Sequence, residues 1–314
     1  VPITYSAPDP DLRLVDVDRV EVLRGPQGTL YGSGSIGGIV RVVTAKPDPT
    51  AFGAQATVEA SAIQHGAQGT GVDATLNIPL LDGRAAIRGS AYRDERPGYI
   101  DNTRLGLKDV NYGQRSGGRV AAIVDLGDGW GLQGGLAHQS INTRDSQYAQ
   151  GRNGPLTRDA RVREPHDNDF TEMSGSVSHA GEVANLRVSA AFIDHSLQTR
   201  YDATGAFGGT GPAAFDEDRS VDLSVAEAVL TSSGEGRLAW LLGAFASQTN
   251  EIDKAKLSEL AGGPARSVYR RRDNLSEGAL YGEAAYDINK RFTVTVGGRL
   301  FATRVSSESD DFDL

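Results

Sequence analysis

Few side chains in this 314-residue chain are spaced for chemistry. Gly32-Ser33-Gly34-Ser35-Ile36-Gly37 satisfies G-x-G-x-x-G, the pattern of a loop that cradles a pyrophosphate at a helix N-terminus. That chemistry needs a helix to begin at the loop. The β-branched run Ile39-Val40-Arg41-Val42-Val43 follows instead, and no strand-helix-strand unit lies downstream, so the match is assigned no cofactor. The five histidines, His65, His138, His166, His179 and His195, show no metal-ligand spacing, and no G-x-S-x-G nucleophile elbow is present. Asp216-Glu217-Asp218 and Asp310-Asp311 have the oxygen chemistry of a calcium site, but they fall in predicted loops, where solvated charge is the simpler reading. Arg144, Arg152, Arg158, Arg161 and Arg163 can meet an anionic ligand such as a ferric chelate, or balance nearby carboxylates. No catalytic residue, cofactor or metal ligand is assigned, and an enzyme is not expected.

Composition narrows the partners. Net charge is −9, with acidic residues spread along the chain, which argues against nucleic acid because phosphate binding needs a basic surface. The absence of cysteine excludes disulfides and thiolate metal sites. No apolar run approaches the ~20 residues of a membrane-spanning helix. A membrane barrel stays open, since only alternate residues of its strands face lipid.

The elements that would position any site are strands. Residues 16–23 and 39–44 read as two short strands around a Gly-rich loop. From residue 52 onward, eleven segments of about ten residues alternate with period 2: 52–62, 70–80, 84–94, 115–126, 130–142, 171–181, 184–195, 221–232, 237–248, 277–288 and 291–304. Leu186, Val188, Ala190 and Phe192 share one phase, as do Leu238, Trp240, Leu242 and Ala244. Tight connections (Leu81-Asp82-Gly83, Gly127-Asp128-Gly129, 180–183, 233–236, Asn289-Lys290) alternate with long polar ones (95–114, 143–170, 196–220, 249–276). Short turns at one rim and long loops at the other are the pattern of a membrane β-barrel. A soluble sandwich has no reason to place every long loop at one end. Trp130, Tyr148, Phe170, Tyr201 and Tyr281 are candidates for its aromatic girdles.

The most specific motif is DVDRVEVLRGPQGTLYGSGSIGGIVRVVTAKP at 16–47. In order it holds Leu23-Arg24-Gly25-Pro26, Leu30-Tyr31-Gly32, Gly37-Gly38 and Lys46-Pro47. This order and spacing resemble the C-terminal half of the plug domain in TonB-dependent outer-membrane receptors, siderophore receptors among them. Residues 221–245 and 279–301 resemble barrel hairpins of the same family. The resemblance implies an all-β fold: a partial transmembrane antiparallel β-barrel of about eleven strands, unclosed, preceded by the end of a plug. It divides the chain into 1–50, the C-terminal part of the plug, and 51–314, the N-terminal half of the barrel. Gly25, Pro26, Tyr31, Gly32, Gly37 and Gly38 become plug-motif positions.

The resemblance also implies a function. Expected is TonB-energised uptake of a scarce ligand, a ferric siderophore foremost, at the cell outer membrane. Partners would be TonB with the inner-membrane proton-motive complex, outer-membrane lipid, and a small ferric chelate, with no nucleic acid. Arg24 would join a plug–barrel locking cluster with Glu227 and Glu283, which sit mid-strand opposite in phase to apolar neighbours. Glu172 is a weaker third candidate. No signal peptide is visible and 305–314 reads as the start of an outer loop, so the chain is expected to be cut at both ends. The rival expectation is a soluble or surface-exposed all-β binding or adhesion domain. It would bury Leu186, Val188, Trp240 and Leu242 against a second sheet.

Overall fold

The structure is a computed structural model that describes residues 10–25, 37–151, 154–209, 211–234, 236–262 and 265–311. β1 (Val17–Arg24) and β2 (Gly38–Thr44) make an antiparallel hairpin with Arg24 opposite Gly38. Then follow β3 (Gly53–Ala62), β4 (Gln68–Leu80), β5 (Ala85–Arg96), β6 (Asp101–Asn102), β7 (Gly113–Gly127) and β8 (Trp130–Thr143). The chain continues with β9 (Thr157–Arg158), β10 (His166–Ala180), β11 (Ala184–Asp202), β12 (Ala213–Ser232), β13 (Leu238–Glu259), β14 (Arg266–Asn289) and β15 (Phe292–Asp311). Eleven of these strands form one antiparallel meander, β3-β4-β5-β7-β8-β10-β11-β12-β13-β14-β15, whose edge strands β3 and β15 are not joined. The eleven alternating segments are thus eleven strands of a single sheet.

The tight turns are built as their residues require. Gly127, Asp128 and Gly129 all take positive φ, the twist that closes a short hairpin. A Cβ on Gly129 would lie 2.5 Å from the Ala180 carbonyl, so only glycine fits between these neighbouring turns.

Pairing register sorts side chains onto two faces. The outer face carries Leu76, Val120, Leu136, Val188, Leu242, Leu280 and Val296, all exposed, with Leu242 at 58%. Among the described residues no second sheet covers Leu186, Val188, Trp240 or Leu242, which overturns the sandwich expectation. Ala122, Gly134, Gly175, Ala190, Ala226, Ala246, Gly278 and Ala302 share one outer row, and no polar group interrupts it. Two rows toward the long loops, the same face turns polar with His138, Thr171, Asp194, Asp222, Asn250, Asn274 and Ser306. On β15 the apolar stretch from Phe292 to Ala302 covers about 34 Å of strand, or about 25 Å of height once tilted, the thickness of a barrel's lipid-facing band.

Strand ends depart from the sequence reading at the long-loop rim. Residues 196–202, 213–220, 249–259, 266–276 and 305–311 are strand, not loop. Their alternation is hidden because the outward face is polar there and the inward face mixes charges such as Asp253 with apolar residues such as Leu197, Ala255 and Leu257. Cross-strand ion pairs hold them instead, Arg200 to Asp216 at 2.6 Å and Arg219 to Asp253 at 2.7 Å. Asp216, Glu217, Asp218 and Asp310 therefore lie on strands. The girdle expectation fits Trp130, which is outward and stacked on His179 with ring centroids 4.5 Å apart. It fails for Phe170 and Tyr281, which point inward and are buried.

Candidate functional site

Among the described residues the inner face carries many polar groups, and Phe170, Ile193 and Leu223 of β10, β11 and β12 meet there in an apolar spot. Residues 10–16 lie across this face and join the β1–β2 hairpin to the wall. Leu12 packs on the apolar spot. Gln139 of β8, buried, uses its whole side-chain amide on the segment and on Tyr92. Nε2 donates to the carbonyls of Pro10 at 2.9 Å and Asp11 at 3.2 Å, while Oε1 accepts the Arg13 amide at 2.9 Å and the Tyr92 hydroxyl at 2.8 Å. Both donors and both acceptor lone pairs are used, so no polar group is stranded in the seat.

Ion pairs flank this amide. Asp11 meets Arg115 of β7, and Arg13 meets Asp94 of β5 while lying 5.7 Å from the Tyr92 ring centroid. The Asp16 side chain is buried between Arg88 of β5, at 2.5 Å, and Arg119 of β7, at 2.9 Å. Arg119 also donates to Thr44 Oγ1 at 3.0 Å and to the Ala45 carbonyl at 2.8 Å, which fixes the far end of the hairpin. Asn77 of β4 clasps the exit. Its Oδ1 accepts the Asp48 amide at 2.9 Å, and its Nδ2 donates to the carbonyls of Asp48 at 2.9 Å and Ala51 at 2.7 Å. The hairpin itself leaves Val20, Val22, Val40 and Val42 exposed.

Arg24 ends β1 with an exposed side chain. Glu227 and Glu283 do face inward, as their phase required, and Glu227 accepts the Tyr281 hydroxyl at 2.5 Å. Among the described residues, no ion pair brings Arg24 to either glutamate. Of the motif glycines, Gly25 and Gly38 have positive φ, and a Cβ on Gly38 would sit 2.4 Å from the Leu23 carbonyl. Pro26, Tyr31 and Gly32 lie outside the described residues.

The seat escaped sequence reasoning, which assigned no role to the residues before Asp16. One signal was present: Arg88 and Arg119 hold inward positions whose nearest same-face neighbours along the strand, Ala86, Ser90, Gly117 and Ala121, are small. The polarity is the reverse of the expected lock. At Asp16 and Asp11 it is the hairpin side that brings the carboxylates and the wall that brings the guanidinium groups. No group of three or more His, Asp or Glu able to hold a metal occurs among the described residues.

The plug domain family of TonB-dependent receptors matches residues 2–39, which contain both the seat segment and the hairpin's first strand. The chain has the plug-and-barrel organisation of a TonB-dependent outer-membrane receptor. A pesticin receptor of Yersinia pestis is 60% identical over 40 residues, 13% of this chain and 6% of that protein. An iron-regulated outer membrane virulence protein of Vibrio cholerae is 25% identical over 195 residues, 58% of this chain and 27% of that protein. The fold is that of the ferric yersiniabactin uptake receptor of Yersinia pestis (TM-score 0.78, 18% identity, 94% of this chain and 45% of that one). It is equally that of a ferric citrate transporter (TM-score 0.75, 14% identity, 96% and 45%). The chain thus spans less than half the length of these relatives. In this TonB-dependent receptor organisation the outer face of the sheet is the lipid face and the inner face lines the lumen. The location is the outer membrane.

Proposed function

We propose that the chain acts within a receptor for TonB-energised uptake of a scarce ligand, first among them a ferric siderophore. Residues 1–50 serve as the C-terminal part of the plug and 51–314 as the N-terminal half of the barrel wall. The observation that carries this reading is the seat: a segment inside the plug match is pinned to the lumen wall by Gln139, Arg88 and Arg119. A plug held this way closes the lumen until something pulls it. TonB, working with the inner-membrane proton-motive complex, is the partner proposed to pull. The chemistry is binding and passage of an intact ligand, without catalysis or cofactor.

Arg24 with Glu227 and Glu283 remains the proposed locking set. The chain has no native cysteine, so paired cysteines at 24 and 227, or 24 and 283, can be crosslinked cleanly in cells. A disulfide forms only when the Cα atoms approach within about 7 Å. Failure of both pairs to crosslink, with and without TonB, rejects the lock.

Uptake is tested with radioiron chelates in cells with and without the gene and with and without TonB. Expected are induction under iron starvation and TonB-dependent accumulation of at least one chelate. Expression indifferent to iron, together with unchanged uptake of every chelate on gene deletion, rejects the siderophore reading.

A further inference from the structure

Two outer loops, 97–112 and 144–165, are knitted together at the long-loop rim. The Asp101 amide donates to the Leu156 carbonyl at 3.0 Å and the Thr103 amide to the Arg158 carbonyl at 2.9 Å, a short parallel pairing of β6 with β9. Asn111 and Gln147 exchange two further bonds, at 3.3 and 3.1 Å. The Arg144 guanidinium lies 4.5 Å from the Tyr112 ring centroid, and its amide reaches the Tyr112 carbonyl at 2.9 Å.

Beneath this seam lies Arg158, 1% exposed. It bonds Asp145, 0% exposed, at 2.7 Å, and it also bonds Glu164. Asp145 additionally accepts the Glu164 amide at 3.0 Å, and Glu164 accepts the Asp202 amide at 2.9 Å, which ties in the end of β11. A buried guanidinium is stable only while its fork is paired. It therefore sets the geometry of every backbone segment it holds. Burial alternates along this ribbon: Arg158, Ala160 and Val162 point in, and Arg163 points out.

We propose that Arg158 pins the two loops and the end of β11 into one preformed platform, which presents two exposed guanidinium groups, Arg163 and the Tyr112-stacked Arg144, to an anionic chelate. The platform goes beyond the uptake reading, and its ligand class rests on that reading. Of the five arginines flagged in sequence, Arg158 is thereby structural, Arg161 is tied to the end of β11 by its amide, which donates to Asp202 at 2.5 Å, Arg144 and Arg163 are ligand-facing, and Arg152 lies outside the described residues.

Hydrogen exchange on the full chain tests the platform without any ligand. In the wild type, the amides of Thr103, Val110, Glu164 and Asp202 should open together, with one shared dependence on denaturant. R158Q should raise exchange at all four by tenfold or more, while R163Q changes none. Distinct opening behaviour in the wild type overturns the platform, even if R158Q fails to fold. Exchange that rises only within 144–165 overturns it too. Ligand class is read separately, with ferric citrate as the anionic probe and a neutral ferric trihydroxamate as control. R163Q should weaken the anionic probe about fivefold and leave the neutral one unchanged. No binding of the anionic probe to the wild type, or an equal loss for both probes, overturns the class. Neither outcome bears on radioiron uptake, which judges the uptake reading itself.

Discussion

Asp16 takes a two-pronged hydrogen bond from Arg88, Nη2 at 2.5 Å and Nε at 2.9 Å, although 72 residues separate them. Arg119 closes on the same carboxylate from the next strand. Removing the carboxylate leaves two guanidinium groups facing one another across a buried gap, so D16A should loosen the hairpin by about 2–3 kcal/mol. Protease protection of residues 17–44 measures this. A double-mutant cycle of D16A with R88A should show coupling of about 1 kcal/mol or more. Additive effects would mean that the pair is incidental to plug seating.

Tyr281 lies flat over Gly243. A Cβ added to Gly243 would meet the ring at 2.1 Å, and the hydroxyl beyond it donates to Glu227. G243A must therefore displace the ring and break that bond, at a cost of about 1–3 kcal/mol. Y281F keeps the ring in place and should lose only about 1 kcal/mol. Denaturant midpoints rank the two. G243A milder than Y281F would contradict the packing described.

The outer face assigns membrane depth. Ala226 lies in the middle of the row of small residues, whereas Ser220 lies beyond the row where that face turns polar. A226R should destabilise the sheet in lipid vesicles by about 2–4 kcal/mol, and S220R by less than about 1 kcal/mol. Equal costs in urea titrations would remove the lipid assignment of this face.

Asp48, in the linker outside the spanning strands, accepts bonds from the Thr50 hydroxyl at 2.6 Å and the Thr50 amide at 2.8 Å. The hydroxyl first, then the amide, hold its carboxyl below the ordinary aspartate range. The folded value lies below the unfolded one, so the stabilisation is complete above about pH 4 and fades as pH falls through the folded value. T50A should raise the Asp48 titration midpoint, followed by carboxyl carbon resonance. No change on T50A would discard the hydroxyl as the cause.

Much of the architecture was legible because period-2 alternation leaves a direct trace wherever one face meets lipid and the other the lumen. Leu186, Val188 and Phe192 announce β11 in this way. The trace stops at Asp194, above which the outward face is polar and the inward face mixes charges with apolar residues, and there β11 to β15 run well past the predicted ends. Glu227 and Glu283 were placed on the correct face by the same phase. The seat was not legible, since Asp16 meets Arg119 across 103 residues and Arg13 meets Gln139 across 126. Nothing local marks such partners.

By itself the sequence determined the eleven strands, their inward and outward faces, and the plug motif at 16–47, because these depend on neighbours two residues apart and on glycines where the backbone needs them. Only the tertiary structure decided which charges hold the plug. Strand register selects Arg88, Arg119 and Gln139 from many polar wall residues, and register is a property of the whole sheet, not of any one strand.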